Sequence, residues 1–401
     1  MRKKHFLFAS VLALLCGSST LHAQDFKLTS SGYFKNQGVD VMAFDDIYPE
    51  GHQGGVCIIM NGHRVATNGD IRLEATPGQW QPVPKQLDRK LGDNSITATL
   101  CYPDSSRHLT GFNPMIYPDL HLIYTVNVES KGKNIEVTVD LDRPIPQEFI
   151  GKVGFNLEFF PGSLFGKPWI MDGQSGIFPQ QPNSPLMTTQ PNYLHTGNYH
   201  DGKKSLADMN KLIGKGYSPI VADAIISEPY AKGTKFTSRP DDPYNKVTIE
   251  SLSGDLQLFD GRMNHNNGWF VLRSNIKPGV TKGAVKWIIT PNVVADWMYQ
   301  PVIQTSQIGY HPTQDKEAVI EMDIRDNRKE TAQIIRIDAD GEKVVKNVTP
   351  ANWGKFLRYN YLKVDFTDVK EPGLYKIKYD TSVSPIFRID NDVYARGVWQ
   401  P

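Results

Sequence analysis

With 401 residues, 39% of them apolar and 22% charged, the chain has the balance of an ordinary soluble globular protein of two or three domains, each able to bury a core. Its formal net charge is +1, and loss of Arg2, Lys3 and Lys4 with the leader described next takes it to −2, which excludes attraction of nucleic acid or an anionic membrane by bulk charge. Plentiful Gly and Pro, with few Ala-rich helical stretches, favour strands joined by turns.

The first residues, MRKKHFLFASVLALLCGSSTLHAQ, have a basic start at Arg2, Lys3 and Lys4, an apolar core from Phe6 to Leu15 and a small-residue end at Leu21, His22 and Ala23. That is the pattern of a secretory signal peptide over 1–23, cut after Ala23. Its apolar core is too short to span a bilayer, and no transmembrane segment is expected elsewhere. A lipid anchor on Cys16 is the alternative. Leu15 is a poor residue before a lipidated cysteine, so soluble export, to the periplasm or beyond the cell, is the preferred expectation. Cys57 and Cys101 stay in the mature chain. In an oxidising compartment they can form a disulfide, or they can stand as two small buried thiols; two cysteines alone make no metal site.

From 24 to about 300 the pattern is short alternating runs broken by turn residues, which predicts a large β-sandwich. VCIIMNGHRVATNGDIRLEA contains Asn61-Gly62 and Asn68-Gly69, each a hairpin-turn signal. LHLIYTVNVESKGKNIEVTVDLD reads as strand, turn and strand, and KVTIESL, LQLFDGR, GWFVLRSN and GAVKWIITP as further strands. The interval from Pro161 to about Tyr199 is expected to form long loops, and Ser205 to Leu212 a modest helix. Near Pro301 the rhythm changes. VIQTSQIGYHP, EAVIEMDI, AQIIRIDADGEKVVKNV, YLKVDFTDV, GLYKIKYD and SPIFRID follow as six or seven short strands, the rhythm of a smaller immunoglobulin-like sandwich over 301–390. The fold class expected is therefore all-β, a large sandwich followed by a smaller one.

No zinc-protease, serine-hydrolase or dinucleotide motif is present, so no cofactor is called for. GNYHDGKK, Gly197 to Lys204, lacks the hydroxyl residue a phosphate loop places after its lysine and reads as a surface turn. Carboxylate pairs could act as the acid and base of a glycosidase. Asp45-Asp46, Asp241-Asp242 and Asp338 with Asp340 all lie in turn-like contexts, which explain them better. The aromatic-rich loops carry more promise. Trp169, Tyr193, Tyr199 and Trp269 are the candidates for glycan contact, because sugar C–H groups stack on aromatic faces while hydroxyls seek polar partners. Filling a large core is the other use for such rings. His195 and His200 could serve as bases, with no spacing that singles out a pair.

The C-terminal segment resembles the immunoglobulin-like domain that precedes the catalytic domain of family 9 glycoside hydrolases. Gln307, Gly309, Tyr310 and Pro312 of QTSQIGYHPTQDKEAVIE fall on that family's Q-x-G-Y-x-P opening. VDFTDVKEPGLYKIKY matches its late hairpin, with Asp365-Phe366, Pro372-Gly373 and Tyr375, and SPIFRIDNDVY its closing strand, with Ser384, Phe387, Ile389 and Tyr394. The resemblance covers about 301–394. It implies that 391–401 begins the linker into a helical (α/α)6 catalytic barrel that would be this chain's partner, with Tyr394 and Trp399 candidates for packing against it. The family's catalytic aspartates and glutamate lie in the barrel, so none is carried over and no catalytic residue is named. Residues 24–300 resemble, less specifically, the β-rich extension of large exported members, and are similar in size and hairpins to the sugar-binding sandwiches of the galactose-mutarotase type.

The function expected is the non-catalytic N-terminal region of an exported hydrolase of β-linked glucans, bracing the barrel and contacting glycan. Two alternatives stand beside it: a stand-alone periplasmic or cell-surface glycan-binding protein, and a sugar-active enzyme with its site in the 155–270 loops.

Overall fold

The structure, a computed structural model, describes residues 25–45, 54–74, 77, 84–102, 120–182, 186–188, 225–263 and 268–395. The signal segment with Cys16, the helix expected near Ser205, and His195, His200, Tyr193, Tyr199 and Trp399 lie outside them. Strands make up 54% of the described residues, among which there is no α-helix, so the all-β expectation holds.

The chain opens with a meander of β1 (Lys27–Leu28), β2 (Phe34–Asn36), β3 (Val39–Ala43), β4 (Val56–Met60) and β5 (His63–Leu73). A second meander follows in β6 (Lys85–Leu91), β7 (Ser95–Tyr102), β8 (Leu122–Lys131) and β9 (Asn134–Leu141). Next come β10 (Val153–Phe159), β11 (Pro168–Met171), β12 (Gln174–Ile177), β13 (Leu186–Thr188), β14 (Ile225–Ser227) and β15 (Ala231–Gly233). The large unit ends with β16 (Lys235–Ser238), β17 (Val247–Ser251), β18 (Leu256–Asp260), β19 (Phe270–Asn275) and β20 (Val285–Pro291). Two nine-stranded antiparallel sheets result, ordered β1-β2-β3-β4-β5-β10-β19-β18-β15 and β12-β11-β16-β17-β20-β9-β8-β7-β6. Strict alternation drives this. In β7 and β9 every second side chain is buried, so each strand offers one apolar row to the facing sheet. Trp287 of β20 ties the layers together, meeting Phe155 of β10 edge-on at 5.0 Å and donating its indole N–H to Ser274 Oγ of β19 at 3.0 Å.

One turn expectation is corrected. Asn61-Gly62 does turn the β4–β5 hairpin, with both residues at positive φ. Asn68-Gly69 instead lies inside β5, as a bulge where the pairing with β10 shifts between Asn156 and Glu158. Asn68 supplies the positive φ, and a Cβ on Gly69 would stand 2.6 Å from that of Val56. The same dipeptide chemistry serves a bulge as well as a turn, and only the neighbouring strands decide which.

The second unit contains β21 (Val302–Gln304), β22 (Glu317–Asp323), β23 (Ala332–Asp338), β24 (Gly341–Val348), β25 (Ala351–Phe356), β26 (Tyr359–Asp365), β27 (Gly373–Tyr379), β28 (Ser382–Val383) and β29 (Phe387–Ile389). Its sheets run β21-β22-β26-β25 and β24-β23-β27-β28, with β29 also on β27. Its apolar cluster runs from Ile303 to Ile389 and is separate from that of the large unit, which runs from Phe26 to Ile289. The opening motif is explained residue by residue. Gly309 has φ +104 and no room for a Cβ beside the Arg388 carbonyl. Tyr310 packs edge-on against Phe366 and Phe387, while its hydroxyl accepts from Ser306 N at 3.0 Å and donates to Glu317 O at 2.9 Å. The buried Lys316 donates to the Pro312 and Gln314 carbonyls, both at 2.9 Å. Tyr375 OH donates back to Glu371 O at 2.7 Å, a tyrosine corner of the kind such sandwiches use.

Candidate functional site

Two of the four rings expected to contact glycan are described. Trp169 is only 6% exposed and belongs to the core; its indole lies across Gly176 of β12, where a Cβ would not fit. Trp269, just before β19, is half-buried and stands edge-on to Phe160 at 4.4 Å. Tyr394 is 39% exposed and donates its hydroxyl to Gln314 Oε1 at 2.5 Å, against the opening loop of its own unit. Cys57 is buried on β4 and Cys101 half-buried on β7, on opposite sheets, with no bond joining them. Asp242 is spent on its own turn, accepting from Tyr244 N, from Asn245 Nδ2 and from Arg239. Asp338 pairs with Arg336 at 2.9 Å. Among the described residues no group of His, Cys, Asp or Glu could hold a metal ion.

Two clusters were not anticipated. In the first, Asn156 and Glu158 of β10 alternate with the core residues Phe155, Leu157 and Phe159, and the register sets Asn156 opposite both Arg273 of β19 and Asp70 of β5. Arg273 donates to Glu74 Oε1 and Asn156 Oδ1, both at 3.1 Å, and to the carbonyls of Glu74 at 3.1 Å and Lys152 at 2.8 Å. Asn156 donates to Glu74 Oε1 at 2.5 Å, Asn68 to Glu158 Oε2 at 2.6 Å, and Tyr124 OH to Asp70 Oδ1 at 2.8 Å. Gly154 makes room for this, since a Cβ there would lie 2.8 Å from Arg273 Nε. Burial pushes Glu74 up to about 7 against the pull of Arg273, and Asp70 up to about 6 against that of Arg72. The guanidinium of Arg273 is engaged by its neighbours and by backbone carbonyls, which makes it a brace linking β5, β10 and β19.

The second cluster is the junction of the two units. Trp297 and Tyr299, in the linking segment, lie on two hairpin turns of the large sandwich. A Cβ on Gly38 would stand 2.7 Å from the Trp297 ring, and one on Gly62 3.0 Å from that of Tyr299. Gln37 Nε2 and Arg325 Nη2 donate to the Trp297 carbonyl, at 2.7 and 2.6 Å. Asn61 Nδ2 donates to the Tyr244 carbonyl within the large unit, and Arg358 Nη1 reaches Asp40 Oδ2 across the junction at 2.9 Å. Burial raises Asp40, opposed by Arg358 and Lys35. Burial acts the same way on Asp323, but hydrogen bonds from the Arg325 side chain and the N–H groups of Arg325 and Tyr299 outweigh it and hold the carboxyl at about 2. Between the units opens a cleft of about 450 Å³, lined among others by Lys35, Gln37, Asp40, Trp297, Tyr299 and Tyr359, in the size range of ligand sites.

These features define a two-unit all-β protein with a ligand-sized cleft at its junction. The comparisons add the class of the smaller unit: residues 298–384 match the family described as "Cellulase N-terminal ig-like domain". The finding supports an N-terminal Ig-like domain of the cellulase kind, and that kind of domain implies a catalytic partner domain in its parent family. No curated protein matches the chain. A solved structure described as "Crystal Structure Analysis of HI1317" is 9% identical and covers 67% of this chain and 99% of its own, with a TM-score of 0.28, too low to carry an argument. No helix among the described residues is long and apolar enough to cross a membrane.

Proposed function

We propose that this chain is the non-catalytic N-terminal region of an exported family 9-type glycoside hydrolase acting on β-linked glucans. The observation that carries the reading is the match of 298–384 to the cellulase N-terminal Ig-like domain. The role is mechanical and positional. The Ig-like unit is clasped to the large sandwich through Trp297, Tyr299 and the Arg358–Asp40 pair, so the two present one rigid surface to a following catalytic domain. Tyr394, 39% exposed at the exit of the Ig-like unit, stands where that domain would pack, and Trp399 follows it in the sequence. Export is proposed from the signal pattern over 1–23.

The test is to read the coding sequence beyond Pro401 and assay both the longer product and this chain on β-glucan. Hydrolysis by the longer product and none by this chain is expected. Turnover by this chain alone, or a stop codon directly after Pro401, would overturn the proposal.

A further inference from the structure

We infer that five aromatic rings, Trp353, Tyr361, Tyr359, Tyr299 and Trp297, form a binding track for a single chain of a β-linked glucan, running from the outer face of the Ig-like unit into the junction cleft. The choice of ligand class rests on the function proposed above; the location does not.

The rings come from three separate stretches and meet in sequence. Along β26, Asn360, Leu362 and Val364 are buried, which leaves Tyr359 and Tyr361 on the opposite, outer face. The register with β22 sets Glu321 opposite Tyr361 and Asp323 opposite Tyr359. On β25 the pairing shifts between Asn352 and Gly354, and Gly354 sits at φ +122, a conformation side chains disfavour. This bulge accompanies the placement of Trp353, 57% exposed, edge-on to Tyr361 at 5.6 Å. The row continues from Tyr361 to Tyr359 at 6.1 Å, to Tyr299 at 5.1 Å and to Trp297 at 6.3 Å. Each step is close to the length of one pyranose unit.

One carboxylate, Glu321, lies beside the row. Glu321 accepts from Tyr299 OH at 2.8 Å on one oxygen and from Tyr361 OH at 3.4 Å on the other, which leaves acceptor capacity on both for sugar hydroxyls. Arg358, Asp40 and Lys35 stand at the cleft end with both signs of charge, which favours a neutral polyhydroxylated ligand over a nucleic acid. A protein-docking face would concentrate apolar area at its centre, whereas here hydroxyls and a carboxylate interrupt the rings. Successive rings are turned 52° to 89° from one another, so no flat platform exists. A free chain whose units rotate can follow such a row; a crystalline surface cannot.

The experiment is titration of the mature chain with cellohexaose by calorimetry, followed in parallel by tryptophan fluorescence. Trp353→Ala and Tyr361→Ala alter outward-facing rings, and thermal unfolding checks that each variant stays folded. Saturable binding with quenching is expected, weakened about tenfold by either variant. No binding of cellohexaose, or equal binding by both variants, overturns the proposal. So does loss through Trp269→Ala with Trp353→Ala unaffected, which would place the glycan in the loops of the large unit. Binding of microcrystalline cellulose without cellohexaose also overturns it. None of these outcomes bears on whether a hydrolase follows, which the coding sequence and the hydrolysis assay decide.

Discussion

The two units differ in how they partner their buried charges. The large sandwich has the area to bury charges and does so: Glu74, Arg273, Asn156 and Asp70 are almost wholly withdrawn from water. The smaller Ig-like unit buries Lys316, Asp323 and Asp326, but sets the two carboxylates against the partly exposed Arg325 and Arg328 rather than against a buried guanidinium. It also displays aromatic surface, with Trp353, Phe356 and Tyr361 on or near its outer sheet. A buried ion pair is a poor source of net stability yet costly to break, whereas exposed pairs are cheap to lose. On the reading proposed above, the large unit is the rigid base and the small one the face that meets glycan.

The contrast is sharpest for Glu74→Ala. It leaves the Arg273 guanidinium buried without its carboxylate and should cost about 3–5 kcal/mol in denaturant unfolding; a loss under about 1 kcal/mol would mean that the network is not a brace. Next comes pH. Glu74 and Asp70 hold protons more tightly folded than unfolded, so the stability they contribute is complete below the ordinary carboxylate range. It is lost as pH rises through about 6 for Asp70 and about 7 for Glu74. Asp323 at the junction has the opposite sign: its contribution is complete above its ordinary value of 3.8 and lost as pH falls through about 2. Melting curves from pH 2 to 8 should show the large unit weakening toward neutrality and the junction weakening in acid. A single shared profile would erase the distinction.

Gly38→Ala should cost about 1–3 kcal/mol, because φ is +66 and the new Cβ meets Trp297. The effect should appear as faster proteolysis near 292–300. Tyr310→Phe leaves Ser306 N and Glu317 O without their partner and should lower the stability of the Ig-like unit by about 1–2 kcal/mol. The smallest effect belongs to Arg358→Ala, at most about 1 kcal/mol and fading with salt, since the side chain is 43% exposed.

Much of this was legible from residues alone, and the failures are specific. The Q-x-G-Y-x-P opening, the late hairpin with Tyr375 and the closing Phe387 and Ile389 could be read through their resemblance to a family pattern, although Gly309 and Tyr310 act on Arg388, Phe366 and Phe387 far along the chain. Asn68-Gly69 misled because a bulge and a turn ask for the same backbone angles. GDIRLEA, with Asp70, Arg72 and Glu74 at alternate positions, looks like a strand with one wet face, yet the structure buries all three. Trp169 and Trp269 stood out as conspicuous rings in loops, while the row through Trp353 and Trp297 joins residues more than fifty positions apart and left no local signal.

The sequence by itself determined the strand class, most of the hairpins and the kind of unit that ends the chain, because alternation and turn chemistry act over a few residues. Only the tertiary structure decided which face of each strand would be covered, which charges would be buried together and which rings would line up. Alternation distinguishes two faces of a strand but assigns neither to water; that depends on what packs against it from elsewhere in the chain.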